Sequence, residues 1–292
     1  MEYEKFKKEI RERVQEKLEP GTEVSFHGLE RNNGVETEGM EVREKGTVAA
    51  PVLHLDELYE SYCKSGSMEN AVSRALKLLE EKPQADIGAV PKTWEAAKVR
   101  IRMGLVHYGW NREALKGIPH RKFLNLAVTY RVELPEMGGF HAGIRVKNSL
   151  RGLWGATEDE LYQTAMENLE NERYHIQSMT ELLSGMIGTA LELPEDAPKQ
   201  YVLTNESCRY GAAGMMRQDL MERFVEQAGG SFYILPSSIH DLILLPDDDS
   251  VSAEYLREMV KEVNKSVVAR EEWLSEDVYY YDCKEKKVRV AG

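Results

Sequence analysis

Cysteine is scarce in this sequence, and long apolar runs are missing. The three cysteines, Cys63, Cys208 and Cys283, are widely separated and form no Cys-x-x-Cys pair. A disulfide scaffold is therefore disfavoured, and free thiols in a reducing cytoplasm are expected. The first ten residues carry charges from the second position, unlike a secretory signal. The longest uncharged and mostly apolar run, 229–240, is shorter than the roughly 20 residues of a membrane span. These observations predict a cytoplasmic protein without a membrane segment.

Metal, cofactor and nucleophile motifs are also missing. None of the seven histidines lies four residues from another, so there is no helical zinc pair. No Gly-x-Ser-x-Gly elbow occurs. The segment 210–214 (YGAAG) offers small residues between a strand and a helix, but it has neither a Gly-Lys-Ser/Thr ending nor a Gly-x-Gly-x-x-Gly pattern. We therefore predict no cofactor and no metal, and we interpret 210–214 as a place of close helix packing in preference to a phosphate site.

Two polar clusters contain the residue types of catalytic or metal sites. Ser238, His240 and Asp241 occur together in SSIHD, but a triad draws nucleophile and base from separate segments within about 3 Å. The cluster is better interpreted as a turn between strands. The acidic run 247–249 lacks the alternating ligands and the final glutamate of a calcium loop, so it is interpreted as a solvated turn before a helix that starts near Ser252. Methionines at 215, 216 and 221 have helical spacing and are expected in the core.

The composition is that of a soluble globular protein, with 42% hydrophobic and 30% charged residues in 292. The net charge of −12 is unevenly distributed. Residues 101–150 carry eight basic and three acidic side chains, whereas residues 151–292 carry 14 basic and 27 acidic ones. A basic island therefore lies in an acidic chain.

The basic island spans residues 100–131 and is densest in WNREALKGIPHRKF, which begins at Trp110 and ends at Phe123. The candidate contacts to a partner or an anion are Trp110, Arg112, Lys116, His120, Arg121 and Lys122. Cations interleaved with aromatic rings can bind phosphates and stack on bases. Alternatively, the island is a solvated face, binds another protein or a second copy, docks on the acidic half of its own chain, or holds a small anion.

Hydrophobic periodicity and turn residues predict an α+β protein with mixed or antiparallel sheets, ββα units and packed helices. Asn33-Gly34 predicts a hairpin turn, and Thr157 with Glu160 predicts a capping box. Helices are expected at 3–18, 54–63, 67–82 (with Ser67 as N-cap), 94–106, 157–171, 176–191, 212–228 and 253–264. Strands are expected at 23–30, 35–42, 123–134, 140–146, 201–204, 231–235, 242–245 and 278–281, with a final hairpin at 284–290. Proline-rich stretches at 82–93 and 193–198 are the candidate linkers, which gives three segments: 1–83, 84–193 and 194–292.

Several strings resemble an uncharacterised bacterial family of domains of unknown function that is found mostly in gut Firmicutes. They are RNNG (31–34), IPHRKF (118–123), the helix 158–169, YVLTNES and RYGAAG (from 201), GGSFYILPSSIHDLILLPDD (229–248) and LSEDVYYYD (274–282). The C-terminal half is more loosely similar to the YtpQ-like family. The resemblance implies a bacterial cytoplasmic protein and transfers no activity or site residue.

The sequence leaves the biochemical function open. The favoured hypothesis is a non-catalytic interaction protein that binds another protein or itself. The first alternative is nucleic-acid binding through the basic island. The second is an enzyme with a non-standard site, which requires His54, His120, His141 or His240 to converge with carboxylates in a deep pocket.

Overall fold

A computed structural model describes residues 1–43, 50, 52–81, 90–134, 143–190 and 198–292. Helices and mostly antiparallel strands alternate in groups, so the predicted α+β class is confirmed. Contacts divide the chain into two compact units. One consists of Met1–Pro91 with Glu133–Ile144, and the other of Lys92–Val132 with Arg145–Gly292. The predicted three-segment division stays a prediction, because both of its boundaries, 83/84 and 193/194, lie outside the described residues.

The smaller unit contains an antiparallel sheet in the order β1-β2-β3 with helices packed on it. Its elements are α1 (Tyr3–Lys17), β1 (Glu23–Glu30), β2 (Glu36–Arg43), β3 (Val52–His54), α2 (Leu55–Ser65) and α3 (Met68–Glu81). Phe6, Ile10 and Val14 are fully buried because their four-residue spacing puts them on one face of α1. The predicted hairpin is confirmed: Asn33 and Gly34 both have positive φ, which joins β1 to β2.

The larger unit begins with a sheet in the order β4-β6-β5. The elements of this part are α4 (Trp94–Lys98), β4 (Ile101–His107), α5 (Arg112–Leu115), β5 (Arg121–Phe123), β6 (Leu126–Glu133), α6 (Asn148–Trp154) and α7 (Glu158–Asn171). The short strand β7 (Gly143–Arg145) spans the division of the chain, since Gly143 and Ile144 are counted with the smaller unit. The capping box at the start of α7 is confirmed: the Thr157 hydroxyl accepts from the Glu160 N–H, and the Glu160 carboxylate accepts from the Thr157 N–H.

A six-stranded antiparallel sheet in the order β13-β12-β10-β11-β9-β8 forms the rest of this unit. Its elements and helices are β8 (Tyr174–Ser178), α8 (Met179–Ile187), β9 (Tyr201–Asn205), α9 (Gln218–Ala228), β10 (Phe232–Pro236), β11 (Leu242–Pro246), α10 (Ala253–Val267), β12 (Tyr279–Asp282) and β13 (Lys287–Val290). Both faces of this sheet are covered. Phe232 and Ile234 of β10 point into the main core, whereas Leu235 packs with Leu256 and Val260 of α10.

Three helix predictions are wrong in part. The helix expected at 94–106 ends at Lys98, and Ile101–His107 is strand β4, because seven residues there pair with β6 and most are buried on both faces. The helix expected at 176–191 begins at Met179, because Ile176 to Ser178 pair with β9. The helix expected from Ala212 begins at Gln218, and 211–216 is a 3-10 turn.

The strand expected at 123–134 is two strands, since Leu124 has a φ of 55° and turns the chain between β5 and β6. The methionine prediction is confirmed, with Met215 and Met221 buried and Met216 packed against the same core. The start of the strand expected at 140–146 and most of the two linkers lie outside the described residues.

Candidate functional site

The densest part of the basic island, 110–123, occupies the loops and short elements between β4 and β6. Two of its cations have partners nearby. Lys116 forms an ion pair with Glu113 at 2.6 Å, and Arg121 forms one with Asp159 at the start of α7. The Arg121 guanidinium also lies 4.0 Å from the centre of the Tyr162 ring. Arg121 is therefore docked on the acidic C-terminal part of its own chain, as one of the predicted alternatives requires.

The other two cations of 110–123 face solvent. Arg112 and Lys122 are exposed, and the Lys122 ammonium lies 5.3 Å from the Tyr108 ring centre. Lys116 keeps 71% of its side chain exposed in spite of its ion pair. His120 is half-buried, and its Nδ1 donates to the carbonyl oxygen of Ile118 at 3.1 Å.

One further exposed cation, Lys147, belongs with these residues. It precedes Asn148, whose backbone N–H donates to the Gly117 carbonyl at 3.1 Å. We call Arg112, Lys116, Lys122 and Lys147 the basic face. Sequence analysis missed Lys147 because this contact joins segments about thirty residues apart.

The two rings that frame the island are used inside the molecule. Phe123 packs against the main core. Trp110 stacks on His107, with 3.9 Å between the ring centres, and lies 6.2 Å from Trp273. The Arg270 guanidinium lies 4.2 Å from the Trp110 ring centre and 4.3 Å from that of Trp273. The structure thus gives Trp110 neighbours from the segment 270–273, which no local sequence pattern indicates.

The half-buried histidines His107 and His240 both accept hydrogen bonds from backbone N–H groups. The backbone N–H of Trp110 donates to Nδ1 of His107 at 3.1 Å, and that of Tyr210 donates to Nδ1 of His240 at 3.0 Å. Burial lowers the pKa of His107, and Arg270 adds to this effect while Asp277 opposes it.

Burial also lowers the pKa of His240. Arg209 and Arg131 add to that shift, whereas Glu272 and Asp241 oppose it. Neutral imidazoles are therefore favoured at both positions.

The Ser-His-Asp cluster is a turn, as predicted. The Ser238 N–H donates to the Asp241 carbonyl at 3.2 Å, and the Ser238 hydroxyl accepts from the His240 N–H at 2.9 Å. This arrangement joins β10 to β11. The predicted helix start near Ser252 is also confirmed: α10 begins at Ala253, and the Ser252 hydroxyl caps it by accepting from the Tyr255 N–H.

The glycines of YGAAG permit close packing, as predicted. A Cβ on Gly211 would lie 2.5 Å from the His240 carbonyl oxygen, and one on Gly214 would lie 2.5 Å from the Tyr174 ring. Both glycines are buried. The space next to them is thus filled by protein atoms.

The smaller unit has an acidic cleft of about 940 Å³. Carboxylates from β1, β2 and α2 line it: Glu30, Glu36, Glu38, Asp56 and Glu60. Lys7 pairs with Glu38, and Arg31 lies 3.7 Å from Asp56. Burial, with Glu38 nearby, raises the pKa of Tyr3 at the cleft wall to about 12. Cations are the ligands that such a lining would favour electrostatically.

The candidate histidines have separate surroundings. His120 contacts Ile118 and Tyr108, whereas His240 contacts Tyr210 and Glu272. His54 ends β3 in the smaller unit, and His141 lies outside the described residues. Across the described ranges, no three His, Cys, Asp or Glu side chains are arranged to hold a metal ion. In the same ranges, no helix has the length and apolar character that crossing a membrane demands.

Neither the curated proteins nor the solved structures contain a match to this chain. A family model does match it, over residues 3–283, which is nearly its whole length. The resemblance to a domain of unknown function is thereby confirmed. The chain belongs to the Family of unknown function (DUF5688).

Proposed function

We propose that the protein is a non-catalytic interaction protein whose basic face binds an acidic segment of another protein. The observation that carries this proposal is the exposure of Arg112, Lys116, Lys122 and Lys147 in a chain with a net charge of −12. Charges farther apart than about 8–10 Å are screened at physiological salt. A bound segment therefore responds to these cations more than to the distant acidic groups.

The available side chains favour a polypeptide over a nucleic acid. Sequence-independent binding of single strands depends on aromatic rings that are free to stack on bases. Trp110 is stacked on His107 and contacts Arg270, and Phe123 packs in the core. The basic face thus offers charge and hydrogen-bond donors, which suit carboxylates, and it offers neither of these rings for stacking.

Fluorescence anisotropy with two labelled probes tests the proposal. The probes are a short polyglutamate and a single-stranded oligonucleotide of equal charge, each titrated at low salt and at about 0.15 M salt. We expect polyglutamate to bind at low salt and to bind more weakly at the higher concentration. The double variant Arg112→Glu/Lys122→Glu should lose this binding.

Lys284→Glu/Lys287→Glu is the matched control, since both lysines are exposed near the final hairpin and the charge change is the same. It should keep the affinity of the unmodified protein. Absence of polyglutamate binding, or equal loss in the two variants, would contradict the proposal. Tighter binding of the oligonucleotide would replace it with the nucleic-acid alternative.

A bacterial source, a cytoplasmic location and the similarity to the YtpQ-like family stay predictions from the sequence. An enzyme with a non-standard site also stays a prediction.

A further inference from the structure

Strand β8 is an edge of the six-stranded sheet. Within the described residues it pairs with β9 alone, from Tyr174 opposite Asn205 to Ser178 opposite Tyr201. An edge strand presents unpaired N–H and C=O groups on its outer side, and proteins usually protect it with lysine, proline or a bulge. The five residues of β8 (YHIQS) contain neither lysine nor proline. Among the described residues, no strand pairs with the outer side of this edge, which is therefore available to another strand.

The helix that follows is apolar and unburied. None of the nine residues of α8 is buried. Leu183, Met186 and Ile187 have the spacing of one helix face and are 38%, 77% and 60% exposed. Isolated helices shorter than about 12–15 residues are marginal in water, and Gly185 weakens this one further. Something that packs on the apolar face of α8 would supply the missing stability.

We propose that the β8–α8 surface is a self-association site at which a second copy of this chain adds its own β8 antiparallel to this one. A two-fold axis next to the edge brings identical strands together in this orientation and makes the same surface serve both copies. Each α8 follows the C-terminal end of its β8. It therefore lies beside the N-terminal end of the other copy's β8, where its apolar face can be covered.

Charge favours a second copy as the occupant. Two chains of net charge −12 repel each other except where nearly neutral surfaces meet. The segment 174–187 (YHIQSMTELLSGMI) has one acidic residue, Glu181, in a chain in which 30% of residues are charged. This is a surface to which each of two acidic copies brings a single carboxylate, Glu181.

The size of the β8–α8 surface determines the affinity that we expect for the dimer. Five residues of β8 and nine of α8 form a smaller contact than the roughly 20–30 residues a side of a standard interface. We therefore expect a dimer with a dissociation constant in the micromolar range, on the order of 1–100 µM. This inference is independent of the basic face and of the function proposed for it.

Sedimentation velocity of the full chain over that concentration range tests the inference. The unmodified protein should shift from 33.3 kDa toward twice that mass as its concentration rises. Met186→Asp/Ile187→Asp, which puts charges on the exposed apolar face, should raise the dissociation constant at least about tenfold. His175→Lys/Gln177→Lys, which places like charges on the exposed side chains of the edge strand, should do the same.

The matched control is Val263→Asp/Val267→Asp on α10, where the two valines are 45% and 79% exposed. It adds the same charge outside the β8–α8 surface and should leave the dimer intact. The far-ultraviolet circular dichroism of the α8 variant should match that of the unmodified protein, which shows that the variant is folded. A monomer at every concentration, or equal dissociation of all three variants, would overturn the inference. A dimer that only the control disrupts would assign the interface to α10 and overturn it as well.

Discussion

The basic face and the β8–α8 surface are both exposed, but they differ in what exposure costs. The cations of the basic face are solvated, and Lys116 also has a neighbour of opposite charge. The apolar side chains of α8 gain nothing from water, and none of them is buried. An exposed cation is therefore stable with or without a partner, whereas an exposed apolar helix gains stability when it is covered. The basic face is therefore suited to a partner that binds only some of the time, and the β8–α8 surface is suited to self-association.

The largest expected effect on stability comes from Arg217, whose partners lie within the protein, in contrast to the exposed cations of the basic face. Arg217 is 8% exposed, donates to the carbonyls of Leu169 and Glu172, and pairs with Asp219 at 2.6 Å. The ion pair also lowers the pKa of Asp219. Arg217→Met should lower the free energy of unfolding by about 3 kcal/mol, because two buried carbonyls lose their donor.

The matched variant is Arg112→Met on the basic face. It should change the free energy of unfolding by less than about 0.5 kcal/mol, since the side chain is exposed. Urea denaturation measures both values. Equal effects would show that the basic face has a structural role and would weaken its assignment to binding.

The helices α7 and α8 give the next prediction. Helix α7 has a capping box and buries Leu161, Ala165 and Leu169. Thr157→Ala should therefore cost about 1 kcal/mol of unfolding free energy. Ser178 precedes α8 without making a side-chain cap, so Ser178→Ala should be neutral within about 0.5 kcal/mol.

Thermal and urea unfolding of these two variants compares the helices directly. If Ser178→Ala cost as much as Thr157→Ala, α8 would be stabilised from within its own chain. A second copy would then not be needed to stabilise α8.

Elements that depend on neighbouring residues are predicted from the sequence, whereas strands that depend on distant partners are not. Local signals fix α1, the Asn33-Gly34 turn, the α7 cap and the start of α10, because a few neighbouring residues satisfy the backbone there. Strand β4 was missed because its hydrophobic pattern suits a helix, and only pairing with β6 decides between the two. A short sequence window contains no information about that partner.

The candidate site shows the same limit. The exposed cations of the island are visible in the sequence, and the charge sums locate them. The contacts of Trp110 with Arg270 and Trp273 join residues about 160 positions apart. The openness of β8 depends on the strand order of the whole sheet. Neither could be inferred from spacing.

The two half-buried histidines, His107 and His240, give a smaller, pH-dependent effect on stability. In the unfolded chain their pKa is about 6.5. Burial lowers the pKa of both His107 and His240 in the folded protein, so just below pH 6.5 the unfolded chain binds more protons. The free energy of unfolding should therefore fall as the pH decreases from 6.5 toward the lower folded-state values.

His107→Asn/His240→Asn should flatten this part of the stability profile, because asparagine does not titrate and its oxygen can still accept a hydrogen bond. Urea denaturation at about pH 7 and at about pH 5 measures the difference. A variant that loses as much stability as the unmodified protein over this interval would assign the acid sensitivity to carboxylates instead.

Hydrogen exchange of the full chain, followed by mass spectrometry of its fragments, tests both surfaces most directly. The protein is measured dilute, concentrated, and dilute with polyglutamate. Higher concentration should protect amides of segment 174–187, and polyglutamate should protect amides of segment 110–123 and of the start of α6. Protection by polyglutamate elsewhere, with none at 110–123, would contradict the assignment of binding to the basic face. Exchange at 174–187 that does not depend on protein concentration would contradict self-association through the β8–α8 surface.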